Sequence, residues 1–315
     1  MVDAPLVLPL LTSGLLWWLF ASVAAGALPW LLRELSRLVP HQRSLCLLGV
    51  ALYPPLIAAG LSLLIYTPAL TGLAVDAHCH EGVCGLHVPM LRASSGLALL
   101  TTATLLTTLL VALCCLGGAL WRSARMTRLV ARLARRADGR DFRLLDSDRL
   151  IACCLGILHP TVVISSALVA RADPREVDVI LMHEHAHRYR LDNLRHLLAG
   201  LATLVWPSAR RAELLLELRL AAEQSCDHAV AVAAGDTRIV ADAIEHLRGL
   251  HLADGPRAPD ADLFVAARLT ALARGDWVSL KRGRAWSAAV LLMATPMCAL
   301  SHPLHRLFES LVANL

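Results

Sequence analysis

The chain has 315 residues, 57% of them hydrophobic and 17% charged, with a formal net charge of +5 and a mean hydropathy of +0.57. So apolar a balance excludes an ordinary water-soluble domain and points to a membrane. An excess of five positive charges gives no argument for direct contact with nucleic acid.

Three stretches without acidic or basic side chains, Leu6 to Leu32, Leu45 to Leu73 and Ser95 to Trp121, are each long enough to cross a bilayer. The first follows Asp3 rather than a basic region and is too long for a cleaved signal, so it reads as a retained helix. Its Trp17, Trp18 and Trp30 read as lipid-facing or interfacial aromatics. Pro54 and Pro55 predict a kink in the second span.

Between the second and third spans, "HCHEGVCGLH" (His78 to His87) sets Cys79 and Cys84 beside three histidines. In an oxidising compartment the two cysteines are expected to form a disulfide, with a metal-sensing site as the alternative; in either form the loop is a candidate sensor. The arginine run from Arg122 to Arg143 predicts a juxtamembrane helix lying on anionic headgroups.

Asp173, Pro174 and Glu176 start a helix, with an acid at the N-cap, proline at the first position and glutamate three residues after the cap. No Gly or Pro occurs from Arg175 to Ala199, so "HEHAH" (183 to 187) lies on a helix. At 100° per residue, His183 and His187 stand about 40° apart on the wheel and His185 about 180° from their midpoint. His183 and His187 are thus candidate metal ligands, and His185 faces away. Glu184, about 100° from His183, is placed to hold a water and act as general base, the arrangement of an HExxH site. Chance produces that motif roughly 0.02 times in a chain of this composition.

A third ligand is needed, and the next helix, Ala209 to Ala234, offers Glu213, Glu217 and Glu223. Glu223 is preferred because Asp227, one turn on, could accept the second ring N–H of a ligand histidine. Glu213 and Glu217 read as solvent-face acids among arginines. Zn²⁺ on His183, His187 and Glu223 would keep one position open for water, with Glu184 taking its proton. The apolar run Leu197 to Trp206 is too short to span and is expected in the headgroup region or against the domain. Ala253 to Asp262 reads as a loop, and Ala285 to Leu300, with Pro296, as a fourth span.

Arginine concentrates between the first two spans and after the third, so those sides are expected to be cytoplasmic and the N-terminus outside. The expected domains are a three-helix membrane region (1–121, with an extracytoplasmic loop at 75–93), a cytoplasmic metallopeptidase domain (122–284), a fourth membrane helix (285–303) and a short extracytoplasmic tail (304–315). The cytoplasmic segment carries 25 basic and 20 acidic residues, near balance.

The runs "PTVVIS" (160 to 165), "DPREVDVILMHEHAHRYRLDN" (173 to 193), "WP" (206 and 207) and "EQSCDHAV" (223 to 230) resemble the integral-membrane zinc peptidases of the BlaR/MecR antirepressor type. The resemblance covers about Gly156 to Ala234. It implies Glu184 as catalytic base, His183, His187 and Glu223 as ligands of Zn²⁺, Asp192 and Asp227 as supporting carboxylates, and Val162 to Ser165 as an edge strand that pairs with extended substrate. It also implies a mainly α membrane protein of about four transmembrane helices, with a zincin-like (gluzincin) α+β domain between the third and fourth. The implied partner is a cytosolic winged-helix repressor of the BlaI/MecI kind. Sensors of this type carry a penicillin-binding domain after the last span; this sequence ends about a dozen residues after it, so sensing by acylation is not expected. HtpX-like and prenyl-peptide-processing membrane proteases, with an HExxH and a distal glutamate followed by aspartate, are the alternative family. A non-proteolytic protein stabilised by zinc is the alternative of another class.

Overall fold

The computed structural model describes residues 7–67, 78–80, 83–85, 96–136, 141–253, 259–274 and 277–313. Within these, the side chains of 7–8, 78–80, 83–85, 96–98, 101–102, 105, 252–253, 259–261, 282–290, 292–293, 308–309 and 311–313 lie outside the description.

Three long helices open the chain: α1 (Val7–Leu35), α2 (Pro40–Tyr66) and α3 (Gly96–Leu133). Each holds a segment long and apolar enough to cross a membrane: Pro9–Leu35, Pro40–Tyr66 and Leu106–Leu133. α2 begins five residues before its charge-free stretch, because a proline at the first helical position lacks only an N–H that would have no helical partner anyway. His41, Gln42, Arg43 and Ser44 therefore belong to its first turn. α2 is assigned as one helix through Pro54 and Pro55. α3 continues past Trp121, so the arginines from Arg122 to Arg132 are helical as expected. Arg135, Arg136 and Arg143 are not: they lie in β3 (Ala134–Arg136) and β4 (Arg143–Leu145), whose antiparallel pairing claims the backbone there.

After α2, β1 (His78–His80) and β2 (Val83–Gly85) pair antiparallel with Cys79 opposite Cys84. The side chains of both cysteines, and with them the expected disulfide, fall outside the described residues.

β5 (Ala152–Leu155) and β6 (Thr161–Ser165) complete a four-stranded sheet of order β3-β4-β6-β5, in which only β4 and β6 run parallel. The expectation that Val162 to Ser165 forms an edge is overturned. Val162, Val163 and Ile164 are at most 1% exposed and β6 is flanked on both sides. An unbroken β-branched run marks a strand covered on both faces, not a margin. The edge beside the HExxH helix is β5.

The remaining helices are α4 (Ser166–Arg171), α5 (Pro174–Arg190), α6 (Asp192–Ala202), α7 (Ser208–Ala234), α8 (Thr237–Ala253), α9 (Pro259–Ala273) and α10 (Arg282–Ala313). α10 includes the expected fourth span and packs along α2, with Met297 over Gly60, but is not among the three described helices that meet the length and apolarity of a span.

One hydrophobic core joins the α1–α2 hairpin to the segment that follows: Ala21, Ala25 and Leu28 of α1 and Leu47 and Ala51 of α2 pack with Ala199, Trp206, Leu214, Leu218 and Ala221. Trp17 belongs to this contact. Its Nε1 donates to the Ala202 carbonyl at 3.2 Å, about 24 Å along α1 from Arg33. Trp17 is therefore a protein-facing anchor and not a lipid-facing ring, and the run Leu197 to Trp206 packs against the hairpin. A second core lies between the sheet and α5 (Val162, Ile164, Leu168, Val177, Ile180 and Leu181). A third joins α5 and α7 to α8 and α9 (Val179, Val230, Val240, Ile244 and Val265).

Candidate metal centre

α5 starts where its capping chemistry requires. Asp173 Oδ1 accepts from Arg175 N and Glu176 Oε2 from Asp173 N, both at 2.9 Å, which satisfies donors that the first turn would leave bare. Its apolar residues Val177, Ile180 and Leu181 face the sheet, which turns His183 and His187 together toward α7. Their Nε2 atoms are 3.1 Å apart, and Glu223 on α7 brings Oε2 to 3.3 Å from His183 Nε2 and Oε1 to 3.5 Å from His187 Nε2.

The outer nitrogens decide how these atoms can coexist. His183 Nδ1 faces Asp227 Oδ1 at 2.9 Å and His187 Nδ1 faces Asp192 Oδ2 at 2.8 Å. A carboxylate only accepts, so each Nδ1 carries the proton and each neutral ring turns a bare Nε2 lone pair inward. Three acceptors thus converge on one point and none of them donates to another. Such a cluster is stable only around positive charge. Tetrahedral ligands about 2.1 Å from a zinc-sized ion stand about 3.4 Å from one another, the spacing found here. The donor set fits a divalent ion of that kind. The same carboxylates raise the pKa of His183 against the opposing effect of burial, and raise that of His187, so the site calls for a cation in either form.

Asp192 reaches its histidine because the helix stops. In a continuous α-helix, residue 192 would lie about 140° round the wheel from His187. Leu191 instead takes a left-handed conformation (φ 53, ψ 44), ends α5 and lets Asp192 begin α6 with its carboxylate folded back. Asp192 is 3% exposed, and besides His187 it accepts from Arg190 Nε at 3.3 Å and from the Cys226 thiol at 3.7 Å.

Arg268, on α9, was not legible as a site residue. It donates to both oxygens of Asp227 at 2.8 and 2.6 Å and approaches Glu223 Oε2 at 3.3 Å. Burial alone would raise both acids; Arg268 and His183 outweigh it for Asp227, and His183, His187 and Arg268 outweigh it for Glu223, leaving both well ionised. The one signal that could have exposed Arg268 is that two acids on the buried face of α7 require a cation.

Glu184 is half-buried and lies between the histidines and β5. Burial raises its carboxyl, with the two histidines opposing. On the strand side, burial pushes the Cys153 thiol up to about 11 and the Cys154 thiol up to about 12, and the nearby Glu184 adds to both. A cavity of about 410 Å³ opens beside Glu184, walled by Leu150, Ile151, Val179, Ile180, Val240, Ile244 and Leu247 and bounded by Arg268.

His185 lines a separate groove with Met182 and Tyr189 on the other side of α5, away from the acceptor cluster. Cys226 is buried and bonded to Asp192. Glu217 is not the solvent-face acid expected: it pairs with Arg43 of α2, because α7 packs against the α1–α2 hairpin there. Glu213 does sit among arginines, on Arg210 at 2.7 Å.

Residues 119–241 match the model of Peptidase family M48. The matched stretch runs from the end of α3 into α8 and so includes the HExxH helix, Glu223 and Asp227, while Arg268 lies beyond it. It supports a metallopeptidase activity for a chain whose three long apolar helices suit a membrane. No curated protein and no solved structure matches the chain.

Proposed function

We propose that the chain is an integral-membrane zinc metalloendopeptidase that hydrolyses peptide bonds at the cytosolic face of a bacterial inner membrane. The observation that carries this reading is the convergence of three acceptors, His183 Nε2, His187 Nε2 and Glu223, with both histidine Nδ1 atoms committed to carboxylates and Glu184 adjacent. These three residues would hold a divalent ion, which would supply Lewis acidity toward a substrate carbonyl and a bound water. Glu184 takes the proton from the attacking water and returns it to the leaving amine, a role for which a raised carboxyl pKa is suited. Asp227 and Asp192 fix the tautomer and direction of the two rings.

The substrate lies as an added strand along β5. Ser165 N donates to Ile151 O at 2.9 Å, which by the two-residue period turns the amide groups of Ala152 and Cys154 outward. Asn193 Nδ2 already holds Cys154 O and Gly156 O at 2.9 Å, so Ala152 and the Cys154 N–H remain for the substrate. Antiparallel pairing sets the residues after the scissile bond beside Leu150 to Ala152, where the apolar cavity receives a large apolar side chain.

The finer reading, cleavage of a cytosolic BlaI/MecI-like winged-helix repressor in response to a signal, rests on the resemblance of the quoted motifs. Cytosolic placement, with the N-terminus outside, rests on the arginine distribution. A processing or quality-control protease with many substrates is a second reading, favoured by the seating of the site directly against the membrane hairpin. Glu184→Gln tests the activity: the protein should still bind Zn²⁺ while cleavage of peptides and of the repressor is lost. Cleavage or signalling that survives this change would refute the proteolytic reading, and the number of proteins cut by the wild type separates regulator from housekeeper.

A further inference from the structure

A hydrogen-bonded path runs from the membrane hairpin to one of the two histidines. The first turn of α2 offers two acceptors to Arg190, the last residue of α5: Nη1 donates to His41 Nδ1 at 2.8 Å and Nη2 to Ser44 Oγ at 3.3 Å. The same guanidinium donates through Nε to Asp192 Oδ2 at 3.3 Å and through Nη1 to Ser225 Oγ on α7. Asp192 Oδ2 in turn accepts from His187 Nδ1 at 2.8 Å. Arg43, from that same turn of α2, donates to Gln224 Oε1 at 3.1 Å and pairs with Glu217, so α2 also grips α7 on the turn that carries Glu223.

We infer that the first turn of α2 positions His187 for its ion, acting through Arg190 and Asp192, so that the seat of α2 against α5 and α7 sets how firmly the centre holds metal. The inference rests on the reading of His183, His187 and Glu223 as the metal centre.

Two physical features make the path directional. A guanidinium is a rigid planar fork, so acceptors on two of its nitrogens fix where the third points. Beyond His41, which is exposed at the outer end of the path, the participants are closed to water: Ser44 is 1% exposed, and the side chains of Arg190 and Asp192 are 12% and 4% exposed. Solvent therefore cannot stand in for a partner lost at Ser44 or Asp192. A displacement of α2 reaches Asp192 as a rotation of the Arg190 fork, and His187 turns with the carboxylate that orients it. By linkage, ion binding must favour the same seating of α2 to the same extent. The membrane helices are in this sense working parts of the centre, and a stimulus that shifts them changes its occupancy.

The test uses the full chain in lipid nanodiscs with Co²⁺ as probe, reading the dissociation constant by chelator competition and the ligand-field absorption of the bound ion. The double variant His41→Ala/Ser44→Ala and the single variant Arg190→Gln should each bind Co²⁺ about tenfold more weakly, with a shifted absorption. Ser62→Ala serves as control: its hydroxyl bonds Pro9 O at 2.9 Å in the α1–α2 contact, off the path, and both readouts should stay at wild-type values. Wild-type affinity and spectrum in both path variants would overturn the inference. So would an equal weakening by Ser62→Ala, which would mean general loosening of the hairpin. A wild-type chain that fails to bind Co²⁺ would instead overturn the metal centre, and the inference with it.

Discussion

Replacing Arg268 by methionine keeps much of the side chain's bulk and removes its charge. In the native chain its guanidinium spans both Asp227 oxygens at 2.8 and 2.6 Å, and the Asp227 side chain is 1% exposed. Removing one partner of a buried, hydrogen-bonded ion pair costs about 3–5 kcal/mol, because the remaining charge is left without water or counterion. His183 Nδ1 still donates to Asp227 at 2.9 Å, which places the expected loss at the low end, about 3 kcal/mol. Metal affinity should fall as well. Without Arg268, the excess negative charge of Asp227 and Glu223 favours a second proton on the His183 ring, and that proton competes with the ion for Nε2. A loss of about 10- to 100-fold is expected, as for other residues that orient metal ligands. Urea unfolding of the purified chain in nanodiscs, in the presence of chelator, reads the first effect; competition for Co²⁺ reads the second. The double variant Arg268→Met/Asp227→Asn should regain most of the stability, with affinity still below wild type because a neutral amide orients the His183 ring less firmly than a carboxylate. Arg268→Met with an unfolding free energy within about 0.5 kcal/mol of wild type and unchanged affinity would refute the argument.

His185→Ala should leave bound metal unchanged, whereas Glu223→Ala should abolish tight binding; metal content after dialysis checks both, and a loss on His185→Ala would mean that α5 is rotated from the arrangement described. Leu191→Gly should stabilise the chain by up to about 1 kcal/mol without weakening metal binding, since glycine adopts the left-handed conformation at no steric cost, and Leu191→Val should do the reverse. Equilibrium unfolding of the three proteins decides it, with equal stabilities counting against strain at this position. Ile244→Trp should fill part of the 410 Å³ cavity and shift cleavage toward small residues after the scissile bond. A peptide library cut identically by wild type and variant would show that the cavity does not receive substrate.

How far the site could be read before folding depended on sequence separation. His183, Glu184 and His187 are one turn of one helix, and Asp227 is one turn from Glu223, so helical periodicity alone placed each pair on a face. Asp192 is different. Its five-residue distance from His187 is out of helical phase, and its contact depends on a left-handed residue at Leu191, where no glycine or asparagine announces a break. Arg268 lies 41 residues from Asp227 on another helix, and only the electrostatic need of two buried acids hints at it. β6 was misread for a simpler reason: its continuous apolar run already described a central strand.

The α1–α2 hairpin poses a more general problem, because a bilayer interior and a protein core are equally apolar. Hydropathy therefore finds α1 and α2 but does not distinguish the face that meets lipid from the face that meets α6 and α7, which is why Trp17 was assigned to lipid while its indole bonds Ala202. Polar residues carry the missing information. Those near the end of a span have two outlets, water or a protein partner, and the choice depends on whether a complementary group comes within reach. Arg33 and Arg37 stay near the surface, but Arg43 finds Glu217 and Gln224, and Ser44 finds Arg190. The polar residues of α2's first turn thus mark the side of the hairpin on which α5 and α7 are built. Their partners in α5 and α7 flank His187 and Glu223, so the elements that join α2 to the rest of the fold are the same ones that hold its proposed metal ligands.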